Sequence, residues 1–235
     1  MESETIVWKG RCGPFELKVG PDTFRPSTIS MLLAEAMDIE DRSTVIDVGC
    51  GSGVLSIVAA KLGAGMVYGV DAADGTVEVA TANAEAQGVA DRVQFFQGDM
   101  FEALPEGQTA DVVIGDVSGI PDEFARVSGW FPSGLAGGPT GAELPMRMLD
   151  EAKRLLRKGG KLLLPTGTLQ DEGSIMEKAR SVFTSIRMLT EKHIPLPSAL
   201  AEQPAVIRLI RDRVIELTER GSRLLWTVRV WEIKA

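Results

Sequence analysis

The sequence predicts a single α/β domain built as a doubly wound, mostly parallel sheet. Three observations carry this. Short β-rich apolar runs alternate with helically spaced segments, the pattern of strands covered by helices on both faces. One of those runs, in residues 45–64, ends on an acidic residue and passes through a glycine-rich turn straight into a helix. The chain has 235 residues with 44% hydrophobic content, which suffices for one full core and argues against a second large domain.

The elements follow in order. Residues 5–19 read as a β-hairpin, TIVWKG then FELKVG, with Gly and Pro between the arms. A short helix is expected over Ser27–Met37. Strands are expected at Thr44–Asp47, Met66–Asp71, Arg92–Gln97, Asp111–Asp116 and Lys161–Pro165, with further strands near Ser185–His193 and Leu225–Ile233. Ser52–Leu62 carries Val54, Leu55, Val58, Ala59 and Leu62 at helical spacing, and Thr76–Gln87 and Glu143–Arg157 read similarly. Between the last two strands, Val206, Leu209, Ile210, Val214 and Leu217 recur at helical spacing and could cover an edge of the sheet. Ser128–Pro145 is the longest irregular stretch, rich in Gly and Pro, and loops of that length are commonly functional. Within the single domain, residues 1–40 form the hairpin and helix. Residues 41–170 form a ligand-binding core, and 171–235 complete the sheet with an inserted helix.

Composition narrows the partners. The net charge of −8 and a pI near 4.9 disfavour a phosphate backbone as partner. The densest basic run, from Lys153 to Lys161, fits the end of a helix, where cations suit the dipole. Two cysteines, Cys12 and Cys50, make no disulfide framework, so a reducing cytoplasm is expected. MESETIVWKG has no secretory pattern, and no run approaches the roughly 18 apolar residues of a membrane span. One His and two distant Cys form no metal-ligand cluster.

The chemistry is concentrated in VIDVGCGSGVLSIVAAKLGA, residues 45–64. After Asp47, the loop Gly49-Cys50-Gly51-Ser52-Gly53 allows positive φ and close approach of a ligand to the backbone. The helix N-terminus that follows offers free N–H groups. Asp71 ends the next strand, where a carboxylate can accept both hydroxyls of a ribose. GDM at 98–100 follows the third strand and places Asp99 where it can accept from an adenine amino group. Three acidic residues at three successive strand ends are hard to explain by packing, because carboxylates are rarely buried without partners. A nicotinamide dinucleotide would call for G-x-G-x-x-G. Here the spacing is G-x-G-x-G, with Val54 at the sixth position, and Asp47 suits a ligand bearing an ammonium group.

Over about residues 40–170 the chain resembles the class I S-adenosylmethionine-dependent methyltransferases, through Asp47-x-Gly49-x-Gly51-x-Gly53, Asp71 and Asp99. The resemblance implies a seven-stranded sheet in the order 3-2-1-4-5-7-6 with an antiparallel last strand. The final segment LLWTVRVWEIKA suits that strand, alternating Trp226, Val228 and Val230 on one face. S-adenosyl-L-methionine is the implied cofactor, held by Asp47, Gly49, Cys50, Gly51, Ser52, Gly53, Asp71, Ala72, Asp99, Met100 and Asp116, with Thr28 from the preceding segment. A narrower similarity links TFRPST at 23–28, and the later FPSGLAGGPTGAEL followed by LLRKGGKLLL, to ribosomal-RNA, release-factor and ribosomal-protein methyltransferases. Amide- and base-modifying members place N/D-P-P-Y after the fourth strand. Here Asp116-Val117-Ser118-Gly119 stands in that slot, which argues against a planar amide or base amino group as acceptor.

Asp116 is the first candidate to orient the acceptor and take its proton, since a base is needed when the attacking atom carries one. Ser118 shares its loop. Asp122 and Glu123 follow, with Asp122 fitting a helix cap. His193, the only histidine, has a titration range suited to base chemistry. Trp130 and Phe131 could line a substrate pocket. The reading is methyl transfer to a nitrogen of a small molecule or protein side chain. The alternatives are O-methylation, rRNA or tRNA methylation, and an inactive cofactor-binding subunit.

Overall fold

The computed structural model describes residues 3–130 and 136–234. Strands β1 (Glu4–Trp8) and β2 (Phe15–Val19) pair antiparallel as the expected hairpin. Helix α1 (Thr28–Ala36) begins at a capping box, in which Ser27 Oγ accepts from Ile29 and Ser30 N–H groups and Ser30 Oγ accepts from Ser27 N–H. That arrangement satisfies donors the first helical turn leaves unpaired. Then follow β3 (Thr44–Val48), α2 (Val54–Lys61), β4 (Met66–Asp71), α3 (Thr76–Ala86), β5 (Val93–Gln97) and β6 (Ala110–Gly115). The next elements are α4 (Asp122–Ser128), α5 (Glu143–Leu155), β7 (Leu156–Gly167), α6 (Glu172–Val182) and β8 (Ser185–Pro195). The chain finishes with α7 (Ser198–Ala201), α8 (Pro204–Arg211), β9 (Thr218–Arg220) and β10 (Arg223–Lys234).

The main sheet runs β5-β4-β3-β6-β7-β10-β8, with short β9 beside β10. Numbered by the seven long strands, this is the expected order 3-2-1-4-5-7-6, and β10 is antiparallel to both neighbours. The order reverses between β3 and β6, which puts the ends of both strands beside the crevice where open α/β sheets bind ligands.

Alternation along the strands divides the core. On one face Val45, Val67, Val112, Leu163 and Val230 pack with Leu33 of α1, Ile57 and Val58 of α2, and Leu17 of the hairpin. On the other, Ile46, Val113, Leu162, Leu164 and Ile233 meet Met148 and Leu149 of α5 and Ile175 of α6. A third cluster joins Phe124 of α4, Val206 and Leu209 of α8, Ile215, Trp226 and Val228.

Two expectations need correction. The helical spacing of 206–217 does not belong to one helix. Helix α8 stops at Arg211, and Arg213 takes φ +58°, which reverses the chain and leaves Val214 and Leu217 outside it. This segment also packs on Trp226 and Val228 of β10, a strand with neighbours on both sides, so it covers the sheet's face and not its edge. The strand predicted at Lys161–Pro165 starts earlier, at Leu156, directly from α5. Its pairing with β6 slips between Ala110 and Val112, next to Gly159 at φ +82°.

Phe124 is fully buried and meets the Trp130 ring edge-on at 5.3 Å. Phe124→Ala should therefore cost about 3–5 kcal/mol. A urea midpoint displaced accordingly, with an unchanged slope, would confirm that this cluster belongs to the main cooperative unit.

Candidate functional site

The cleft opens along the C-terminal ends of β3, β4, β6 and β7. Its wall includes Gly49, Asp71, Ala72, Asp99, Met100, Asp116 and Ser118, all of them residues expected from the sequence. The tight turn after β3 rests on three glycines with φ of +76°, +50° and +78° at positions 49, 51 and 53. At Gly49 the constraint is absolute: a Cβ would lie 2.5 Å from the backbone carbonyl oxygen of Asp116. Gly53 packs against Phe95 and Ala80, where a Cβ would come within 2.9 and 3.1 Å, so it serves helix packing.

Asp71 uses both carboxylate oxygens on backbone donors. Gly51 N–H donates to Oδ2 at 2.8 Å, and Ala73 N–H donates to Oδ1 at 2.9 Å. These bonds fix the carboxylate across the glycine loop and leave lone pairs toward the cleft, since an ionised carboxylate has about four acceptor sites.

Asp47 lies below the cleft floor with no exposed surface. Ser56 Oγ of α2 donates to its Oδ2 at 2.6 Å, while Oδ1 is buried without a partner among the described residues. Burial pushes its carboxyl up to about 7, with Asp116 and Asp71 adding to the rise and the Ser56 bond opposing it. Cys50 is likewise buried, and desolvation raises its thiol well above the ordinary range. It is inert as a nucleophile. Cys50, Gly51, Ser52 and Gly53 stand behind the wall, and Ser52 Oγ is another buried atom without a partner among the described residues. Asp47 and Ser52 are not on the cleft wall, so Asp47 would act on a ligand there through its potential and not by contact.

Asp99 departs from expectation in its partner. Arg147 of α5 donates to its Oδ2 at 2.6 Å, and the same guanidinium meets Glu151 at 2.6 Å and Glu102 at 3.5 Å. The side chain is more than half exposed. Met100 beside it is buried with φ +52°, so this turn is held from α5.

Asp116 follows β6 and is half-buried. Ser30 Oγ of α1 donates to its Oδ2 at 3.0 Å. Desolvation raises this carboxyl to about 6, against the lowering effect of the Ser30 bond. Sequence reasoning did not find Ser30, because nothing distinguishes a serine inside a helix from a surface one. It also missed Gln170, which follows β7, and the polar edge of Trp226 on β10. Both line the cleft, are more than nine-tenths buried, and have side-chain nitrogens without partners among the described residues. Ser118 is half-buried, and its Oγ is also without a partner among the described residues.

Several candidates fall elsewhere. Thr28 lines a neighbouring cavity of about 740 Å³, which shares Phe24, Ser27, Ile29, Ile120 and Trp226 with the cleft. His193 pairs with Thr227 across β8 and β10. Its Nδ1 lies 2.9 Å from Thr227 Oγ1, and Thr227 points away from the face that carries Trp226 and Val228. Asp122 is not a cap by side chain, because its Oδ1 accepts from Gly138 N–H at 3.2 Å. Glu123 pairs with Arg208. Trp130 lines the second cavity, while Phe131 lies outside the described residues.

Comparison with known proteins finds methyltransferases of the same fold. The family described as ribosomal protein L11 methyltransferase matches residues 25–118. A relative from Methanocaldococcus jannaschii, named "Putative protein N5-glutamine methyltransferase", is 26% identical over 77% of this chain and 90% of its own length. The Escherichia coli ribosomal protein L11 methyltransferase is 36% identical over 43% of this chain, which spans about a third of that relative. Among solved structures, the Thermus thermophilus 16S rRNA N2 G1207 methyltransferase, in complex with AdoMet and guanosine, has a TM-score of 0.64 at 16% identity. It covers 99% of this chain and 51% of its own. A Methanocaldococcus jannaschii tRNA m1G37 methyltransferase has a TM-score of 0.61 at 13% identity, over 100% and 55%. The curated relatives make the chain a methyltransferase, and the solved structures share its fold, one of them in complex with AdoMet. Because proteins named for rRNA and tRNA share the fold, the acidic charge does not exclude nucleic acid as expected. No helix among the described residues is long and apolar enough to cross a membrane.

Asp47 makes a pH prediction for the cofactor-free protein. Its carboxyl titrates near 7 when folded and near the ordinary 3.8 when unfolded, so the folded state binds more protons between those values. The corresponding stability is complete below about pH 4 and lost as pH rises through about 7. Asp47→Asn cannot ionise. Relative to it, wild type should lose up to about 4 kcal/mol between pH 4 and 8, read from urea midpoints. Parallel profiles would show that Asp47 is not held protonated.

Proposed function

We propose that this methyltransferase methylates a nitrogen of a protein side chain or small molecule, with Asp116 orienting the acceptor. The observation that carries the reading is the place of Asp116: half-buried at the end of β6, beside the glycine loop and bonded to Ser30 Oγ. The name of the Methanocaldococcus relative supports a protein side-chain nitrogen. We place the reaction in the cytoplasm, in keeping with two unpaired cysteines.

The cofactor supplies an electrophilic methyl group on a sulfonium. In this reading Asp71 holds the ribose hydroxyls, with its carboxylate set by Gly51 and Ala73 N–H. Gly49 lets the ligand approach the backbone. Asp99 and Met100 form the adenine end, held by Arg147. Asp116 supplies negative potential where the ligand is cationic, and Asp47 adds to it as it ionises near pH 7. Asp116 accepts a hydrogen bond from the acceptor N–H, points the nitrogen lone pair along the transfer line, and takes up the proton that must leave. Positioning provides much of the rate in such an in-line displacement. Its carboxyl, raised to about 6 by burial, is ionised at neutral pH and closer to neutrality than an ordinary carboxylate, as general-base work favours.

Asp71→Ala should weaken S-adenosylmethionine binding ten-fold or more, the worth of charge-assisted hydrogen bonds. Unchanged affinity in calorimetry would remove Asp71 from the site. Asp116→Asn should leave that affinity nearly intact and cut turnover by about 10²–10⁴-fold. Wild-type turnover should fall as pH drops through about 6 and Asp116 is protonated, and the variant should lack that limb. Wild-type rates in the variant would return Asp116 to a structural role.

A further inference from the structure

Three residues that line the cleft each carry a buried polar atom without a partner among the described residues: Ser118 Oγ, Gln170 Nε2 and Trp226 Nε1. They come from three parts of the chain, the loop after β6, the loop after β7, and β10. Gln170 is 8% exposed and Trp226 6%. A buried donor left unpaired costs about 1–3 kcal/mol, so one such group asks for an explanation and three around one cavity ask for a common one. Gln170 is not free to turn toward solvent. Its amide lies on Gly119, where a Cβ would fall 2.3 Å from Oε1 and 3.4 Å from Nε2, so only a glycine at 119 admits it. Its backbone is pinned as well, since Glu172 N–H donates to the Gln170 carbonyl at 2.8 Å.

Of the three, Trp226 is the most restrictive. An indole N–H donates and never accepts, so the group that satisfies it bears a lone pair. A hydroxyl and a carboxamide can donate to the same atom. The opposite chemistry sits next to them. Asp116, whose carboxyl is ionised at neutral pH, accepts only, and it repels an anion. An acceptor at Asp116 and three residues bearing unpaired donors, Ser118, Gln170 and Trp226, thus line the same cleft.

We infer that these three residues form a subsite for a neutral carbonyl oxygen on the methyl acceptor, adjacent to the nitrogen that Asp116 orients. The inference rests on the proposed role of Asp116. It reverses the expectation drawn from the missing Pro-Pro-aromatic segment. Here β7 and β10 supply the donors that recognise a carbonyl-bearing acceptor, and a simple amine or guanidinium would leave all three unsatisfied. Gln170 and Trp226 are specificity-determining residues in this assignment.

The test uses full-length protein saturated with S-adenosylhomocysteine and labelled with ¹⁵N at the tryptophan indoles, so no turnover is needed. Acetamide, acetate and methylammonium are titrated separately at pH 7.5. Acetamide should move one indole resonance, the one absent from Trp226→Phe, and bind about three- to ten-fold more weakly to Gln170→Leu. Methylammonium should leave that resonance in place. Acetate moving it as strongly as acetamide would overturn the neutral carbonyl in favour of a carboxylate. Methylammonium alone binding, or no probe moving it, would overturn the subsite. If Trp226→Phe does not fold, the loss of acetamide affinity in Gln170→Leu decides, and unchanged affinity there counts against the assignment. The pH limb of Asp116→Asn is independent of these titrations, so either idea can fail alone.

Discussion

The cleft depends on how closely the backbone at residue 49 approaches the carbonyl of Asp116. With a gap too small for a Cβ, β3 and β6 can end side by side and their loops can touch. The glycine loop then turns outward through two further positive-φ glycines, and Asp71 closes it from β4 through Gly51 N–H. Any side chain at 49 would separate the glycine loop from the loop after β6, the two loops assigned to cofactor and acceptor in the proposed reaction. In-line transfer requires those two surfaces to meet at a fixed spacing.

Around that contact the structure concentrates negative charge. Asp47, Asp71 and Asp116 lie close enough for Asp47 to feel both of the others, and two of the three carboxyls are raised by burial. Such an arrangement opposes the stability of the empty protein. A cationic ligand offsets it, which is the sense in which strain at a site is repaid by binding. The Ser56 hydroxyl spares Asp47 part of the cost, and Ser30 does the same for Asp116.

Much of this was legible in the sequence because it is local. Asp47, the glycines and the helix after them are one continuous motif, and Asp71, Asp99 and Asp116 each follow an apolar run that can be recognised by itself. The strand order followed from resemblance and matches the structure. What could not be read is what long-range pairing decides. Whether His193 faced the cleft depended on its register against Thr227, and a shift of one residue would have reversed the answer. Trp226 read only as part of one apolar face of the last strand, since burial and polarity coexist in an indole. Gln170 stands in an ordinary loop and becomes part of the site only because Gly119, 51 positions earlier in the chain, leaves room for it. The apolar spacing across 206–217 continued past a helix end because the same cluster is filled from both sides of a reversed turn.

One hydroxyl is shared between two tasks. Ser30 Oγ accepts from the Ser27 N–H at the start of α1 and donates to Asp116. When Asp116 is charged, its pull on the Ser30 proton makes that oxygen a better acceptor for the helix cap. When Asp116 takes up a proton, the pull weakens and the cap loosens with it. Ser27 borders both cavities, so the Ser30 hydroxyl ties the start of α1, at the boundary between the two chambers, to the carboxyl of Asp116.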